Sequence, residues 1–352
     1  MVTKSGYPLL DMHVKAGAVL GETCGLSPIL SYGTVEVEYE SFTSSAAILD
    51  RSHTGRLTQS GRDALDLLNR LSTNKVTNVR ELEPVTTILT SASGRIVDVV
   101  TVICRSTENV LLLTLSSYGM KAFEWINRYK FEEDAELANL SQSTVRFALA
   151  GPTAADILDA TFGDCSSSVA AGTVVVKGIL DREVLVMQNE LLGQSGFDIL
   201  VDVDLGETLW SKLVNAGAVP VGHLAYNSVR IEQGHGEFNS EFSEQYNPLE
   251  AGLRKWINFE KGCYVGQEVI ARLDTYDKVK RRLVGVVSNN RLPIDGSLQL
   301  GGRIVGKVTS SAFSPGLGKQ VGLAYVRRTA AESGTMLNIG SDKVRVVTVP
   351  MV

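Results

Sequence analysis

The run Lys261-Gly262-Cys263-Tyr264-Val265-Gly266-Gln267-Glu268 sets one thiol between an amine and a phenol. Cysteine reacts as its thiolate, and a neighbouring cation such as Lys261 favours that form. Glycines at 262 and 266 let the backbone approach a ligand closely. The plain alternative is a buried turn with a structural cysteine. The block follows Asn247-Pro248-Leu249-Glu250-Ala251-Gly252-Leu253 and ends in Ala271-Arg272.

The elements that must position this block read as α+β. Gly61-Arg62-Asp63-Ala64-Leu65-Asp66-Leu67-Leu68 and Gly151-Pro152-Thr153-Ala154-Ala155-Asp156-Ile157-Leu158 share the pattern G-x-x-A-x-D-x-L, ninety positions apart. Each follows a short strand-like run, 55–58 or 145–150. Each then reads as a helix, with Leu65, Leu68 and Leu71 on one face in the first copy and Gly163 ending the second. Farther on, a strand over 110–115 precedes a helix over 118–129. A strand over 197–203 likewise precedes a helix over 206–216. One duplicated α+β unit accounts for the order. After Lys280 the chain turns β-rich, with runs over 283–287, 303–310, 320–326 and 344–349 separated by turn residues. The division expected is a body over 1–277, with halves near 1–140 and 141–277, and a C-terminal all-β barrel over 278–352. Lys278, Lys280, Arg281 and Arg282 at the boundary read as a solvated segment, or as a hold on an anion such as a polyglutamate tail or RNA.

A chain of 352 residues is too long for one core. Its net charge of −5 argues against a protein built to grip nucleic acid. Cys24, Cys104, Cys165 and Cys263 are scattered, which argues against a disulfide framework, a zinc site or the clustered spacing of an iron–sulfur centre. His13, His53, His223 and His235 show no metal-ligand spacing, so no metal site is expected. No signal peptide and no membrane-crossing apolar run is read. The expected place is the cytoplasm, or the mitochondrial matrix in a eukaryote.

The Cys263 block resembles the K-G-C-Y-x-G-Q-E block of the YgfZ family, whose members are similar to the glycine-cleavage T-protein, a folate-dependent aminomethyltransferase. Asp50-Arg51-Ser52-His53-Thr54-Gly55 looks like the D-x-S-H-x-G segment of T-proteins, and 94–99 like their G-G-I-x-D-D. Residues 193–199 resemble G-E-D-G-F-E-I, 230–234 resemble R-L-E-A-G, and 306–315 resemble the V-T-S-G-x-x-S-P of the C-terminal barrel. The shared order implies duplicated ferredoxin-like units around a central folate cavity, closed by the β domain.

The resemblance implies tetrahydrofolate or another reduced folate as ligand, and gives roles to particular residues. Asp98 stands where T-proteins keep a carboxylate near the accepting nitrogen, but Val99 replaces the second acid. Gln194 replaces a pterin-binding glutamate; its amide still donates and accepts but brings no charge. Arg230 suits a folate-tail carboxylate, with a structural ion pair as its alternative. Tyr264 joins Lys261 as a candidate on the ligand side, and Tyr226, Tyr246 and Trp256 are rings that stack on a pterin or fill the core.

On these residues the leading reading is a tetrahydrofolate-binding protein of YgfZ type that supports iron–sulfur cluster assembly or repair. Cys263 is then central, and assembly or client proteins are its partners. The alternative is a tetrahydrofolate-dependent aminomethyltransferase or other one-carbon transferase, weakened by the missing acid. A binding module without chemistry is third.

Overall fold

The computed structural model describes residues 7–21, 27–170, 172–188 and 196–351. They divide into two units. The first comprises Met1–Leu68, Val76–Thr86 and Val100–Tyr226; the second comprises Asn69–Lys75, Thr87–Val99 and Asn227–Val352.

The first unit holds a six-stranded sheet in the order Val175–Ile179, Arg182–Gln188, Gly196–Asp202, Thr144–Ala150, Ala47–Asp50, Val219–Pro220. All neighbours are antiparallel except the last pair. Every residue of Thr144–Ala150 is buried, so the strand is covered on both faces. Period-two alternation assigns the faces. Val145, Phe147 and Leu149, with Ile48, Ile199 and Val201, pack on Ile157 and Leu158 of helix Ala154–Phe162 and on Leu209, Trp210 and Leu213 of helix Val203–Asn215. The other face is floored by Ala47, Leu49, Ala148 and Ala150, with Val221 and Tyr226 against them.

A five-stranded sheet runs in the order Pro84–Thr90, Ile96–Ser106, Asn109–Ser117, Thr54–Ser60, Glu136–Asn139. The repeated pattern has a backbone cause. Gly61 and Gly151 both hold positive φ, 123° and 128°, and a Cβ on either would collide with a backbone carbonyl, of Asp134 or of Ser45. Only glycine meets both demands. Each then opens into a helix, Ala64–Leu71 or Ala154–Phe162. The first helix buries Ala64, Leu67, Leu68 and Leu71, a run at i, i+3, i+4 and i+7. Leu65, expected on that face, is only half-buried, because Leu67 falls on the stripe instead. The helix expected over 206–216 begins at Val203 and takes Gly206 inside, where a Cβ would strike Leu9.

The second unit contains a closed six-stranded barrel ordered Arg281–Ser288, Lys319–Arg327, Arg303–Ser314, Ser297–Leu300, Met336–Ile339, Asp342–Val347. Its core includes Val286, Leu298, Val308, Ala324, Val326, Leu337, Val344 and Val346. Closure leaves no open strand edge. Sequence periodicity misses Ser297–Leu300 and Met336–Ile339, which at four residues each are too short to show alternation. No helix among the described residues is long and apolar enough to cross a membrane.

Candidate functional site

The Cys263 block is a loop pinned on both sides of its thiol. Downstream, Gly266 takes φ 86° and starts helix Gln267–Thr275. A side chain there would collide with the Ser91 carbonyl oxygen. The Thr90 hydroxyl donates to the Val265 carbonyl at 2.6 Å, and Val265 N–H donates to Arg70 O at 2.9 Å. Gly262 has open space around it and is not required by packing.

Upstream, Lys261 does not turn toward the thiol. It is 8% exposed, and its ammonium donates to the carbonyls of Asn69, Ser72 and Asn74 at 2.7, 2.8 and 2.7 Å. All three donors are thereby spent on backbone. Burial lowers its pKa to about 8, which leaves it mainly charged at neutral pH. The amine also lies 5.3 Å from the ring centre of Tyr264. Tyr264 is buried, and burial pushes its phenol up to about 12. Lys261 and Tyr264 are thus brought together as the footing of the loop, while Cys263 between them is exposed. The sequence expectation that Lys261 acts on Cys263 gives way to a structural role, because three convergent carbonyls are a better partner for an ammonium than a solvated thiol.

Asp98 and Arg230 lie on other elements of the same unit. Asp98 sits in strand Ile96–Ser106 with no exposed surface, and its Oδ1 accepts from Val99 N–H at 2.8 Å. Arg230, in helix His223–Glu232, is ion-paired with Glu237 at 3.2 Å and Glu241 at 3.3 Å, and donates to Ser310 Oγ at 2.9 Å. The guanidinium expected to take a folate carboxylate already carries two protein carboxylates. Glu241 also accepts from the hydroxyls of Thr309 and Ser310, so Arg230 belongs to a buried polar network. Gln194 lies outside the described residues.

Of the rings, Tyr246 stacks on Tyr325 at 3.5 Å between centroids, with the Arg281 guanidinium 5.0 Å from its ring. Trp256 carries the Lys255 amine at 5.0 Å, and Tyr226 is buried on the alanine-floored face of the first unit. No group of three or more His, Cys, Asp or Glu among the described residues is placed to hold a metal.

Sequence reasoning passed over a polar cluster in the first unit. Asp50 Oδ2 contacts His13 Nε2 at 2.7 Å, His13 Nδ1 contacts the Tyr32 hydroxyl at 2.6 Å, and Asp50 Oδ1 accepts from Ser52 N–H at 2.7 Å. Arg146, inside the apolar strand Thr144–Ala150, is ion-paired with Asp198. That lone charge in an apolar run was the signal available. His53, 8% exposed, is held well below its ordinary pKa of 6.5 by burial first, then by Arg51, His223, Arg56 and Arg146. It stays neutral when folded, whereas in the unfolded chain it titrates near 6.5. Below that pH the unfolded chain binds a proton that the folded chain refuses. Stability is therefore lost as pH falls below 6.5, by up to about 1.4 kcal/mol per pH unit. Urea unfolding between about pH 7 and pH 5 should show a shallower pH slope for His53→Gln than for the parent; parallel slopes would refute the assignment.

Comparison with known proteins covers most of the chain. A family model described as the GCVT N-terminal domain matches residues 9–261, and one described as the glycine cleavage T-protein C-terminal barrel domain matches residues 281–352. The chain is 30% identical over 339 residues to an aminomethyltransferase of Thermotoga neapolitana, covering 94% of this chain and 92% of that one. It is 28% identical over 342 residues to an aminomethyltransferase of Thermoanaerobacter pseudethanolicus, with the same coverage. In fold it is similar to the crystal structure of the glycine cleavage system aminomethyltransferase T from Bartonella henselae, at a TM-score of 0.87 and 23% identity over 98% of this chain and 97% of that one. With a mixed α/β body, a closed C-terminal barrel and both family models in register, the chain belongs to the glycine-cleavage T-protein family.

Proposed function

We propose that this protein transfers a one-carbon unit to tetrahydrofolate, as an aminomethyltransferase or a variant of one. The observation that carries this reading is the end-to-end match to aminomethyltransferases, 94% of the chain at 28–30% identity. The second unit supports it with Asp98, a wholly buried carboxylate in a fixed backbone setting. A reduced folate supplies the accepting nitrogen, which loses a proton as it takes the carbon. A carboxylate is suited to hold that proton. The folate-binding body in this reading is residues 1–277, in halves near 1–140 and 141–277, with the barrel over 278–352. The test supplies tetrahydrofolate and a lipoyl-borne aminomethyl donor and follows methylene-tetrahydrofolate. Its formation supports the proposal; folate binding without product would move the protein to the non-enzymatic reading.

That second reading, a YgfZ-type protein supporting iron–sulfur enzymes, is favoured by one specific contrast. Cys263 is exposed, whereas Cys104 and Cys165 are buried and their thiols are pushed up by burial. Reactivity follows thiolate fraction and access. In the folded protein, Cys263 should be alkylated at least about tenfold faster than Cys104 or Cys165. Mass-spectrometric timing of iodoacetamide labelling measures this, and equal rates would remove the case for a reactive loop. Cys263→Ser in cells then separates the readings: loss of iron–sulfur enzyme activity at normal protein level belongs to the second reading alone.

A further inference from the structure

In the first unit, several polar atoms meet over the face of the six-stranded sheet opposite helices Ala154–Phe162 and Val203–Asn215. Arg146, Ala148 and Ala150 point to this face by alternation, and Asp198 lies opposite Ala148 in the neighbouring strand. Ala47 and Leu49 continue the floor. Val221, Tyr226 and Phe42 pack on these alanines, so the polar atoms beside them are shut off from bulk water. At its border Arg51 N–H donates to Arg146 O at 2.8 Å, and Arg146 Nη1 reaches the Thr54 hydroxyl at 3.4 Å. His53 lies between Arg51 and Thr54 in the chain.

The charges here are incompletely matched. Arg56 is wholly buried, yet its hydrogen bonds go to neutral oxygens of Ser52, Thr54, Ser141 and Thr144. Arg146 is bonded to Asp198 through one carboxylate oxygen only. Three buried atoms have no hydrogen-bond partner among the described residues: His53 Nδ1, Arg146 Nε and Asp198 Oδ1. Orphaned buried polar atoms are costly, and a set of them in one place calls for a ligand with complementary groups.

We propose that this face binds the carboxylate of a small organic acid, received by Arg51, Arg146 and His53. His53 donates through Nδ1–H, Arg146 through Nε–H, and Asp198 Oδ1 accepts from a donor group on the same ligand. Arg51, Arg56 and Arg146 are the cations acting on His53, as a carboxylate site requires. The inference stands independently of one-carbon transfer. The carboxylate has two sources, the glutamate of a folate or a separate acid substrate, and the test distinguishes them.

The chain has four histidines, so imidazole carbon–proton NMR spectra of the whole protein are simple, and His53→Gln assigns the resonance. Sodium acetate and glycine are titrated in turn, with sodium chloride as the ionic-strength control. The expected result is a saturable shift of the His53 signal with both acids. Glycine should saturate at lower concentration, since its ammonium reaches Asp198. Arg51→Gln should weaken acetate binding roughly tenfold or more, about 1.4 kcal/mol. No saturable shift, or the same shift with chloride, overturns the proposal. So does an Arg51→Gln protein that keeps the parent affinity. If that variant fails to fold, the titration of the parent chain still decides. A repeat with tetrahydrofolate present names the source: displacement of acetate assigns the site to the folate's own carboxylate, and simultaneous binding assigns it to a second substrate.

Discussion

Asp98→Asn should lower one-carbon transfer to tetrahydrofolate about 10²–10⁴-fold, the range for loss of a positioned general base. The substitution is nearly isosteric. An asparagine oxygen can keep the bond from Val99 N–H, so the strand and its burial are preserved. What is lost is the capacity to take a proton. Because Asp98 has no exposed surface, bulk water is poorly placed to replace it. The neighbouring position is Val99, so no second acid stands beside it in the chain. The effect should fall on kcat, with folate affinity measured separately by calorimetry changing far less. A kcat within about threefold of the parent, at unchanged folate affinity, would show that Asp98 only caps its own strand. The chemistry would then have to be sought on another element.

The architecture was legible where backbone constraint shows in residue type. The glycine of each G-x-x-A-x-D-x-L copy marks a positive-φ turn against a carbonyl, and only glycine could stand there. The barrel was legible from its long strands and not from its two short ones, since four residues give too few alternations. The site was less legible, because contacts distant in sequence decide it. Lys261 beside Cys263 suggests an activated thiol, but carbonyls nearly 190 positions earlier claim the ammonium. Arg230 suggests a carboxylate ligand, and Glu237 and Glu241 supply one from the protein. The pairing of Arg146 with Asp198, 52 positions apart, could be read only once sheet order was known.

Lys261→Met should destabilise the fold by about 3 kcal/mol, since hydrogen bonds to charged groups contribute roughly 1.5–3 kcal/mol each and the three carbonyls share one cation. Methionine matches the length and apolar character of the stem but supplies no donor. The Asn69 carbonyl belongs to the last turn of helix Ala64–Leu71, and those of Ser72 and Asn74 follow it. Carbonyls at a helix C-terminus lack intrahelical partners and carry partial negative charge, so an ammonium serves them twice. Arginine should not rescue the site, because its planar fork cannot aim three N–H groups at acceptors that converge on one point. Urea unfolding of the two variants and the parent, with the rate of Cys263 alkylation read in parallel, separates the possible roles. A footing residue gives a lower unfolding midpoint in both variants. If Lys261 instead tunes the thiol, the midpoint stays unchanged and alkylation of Cys263 slows, and the carbonyl cage is then without energetic weight.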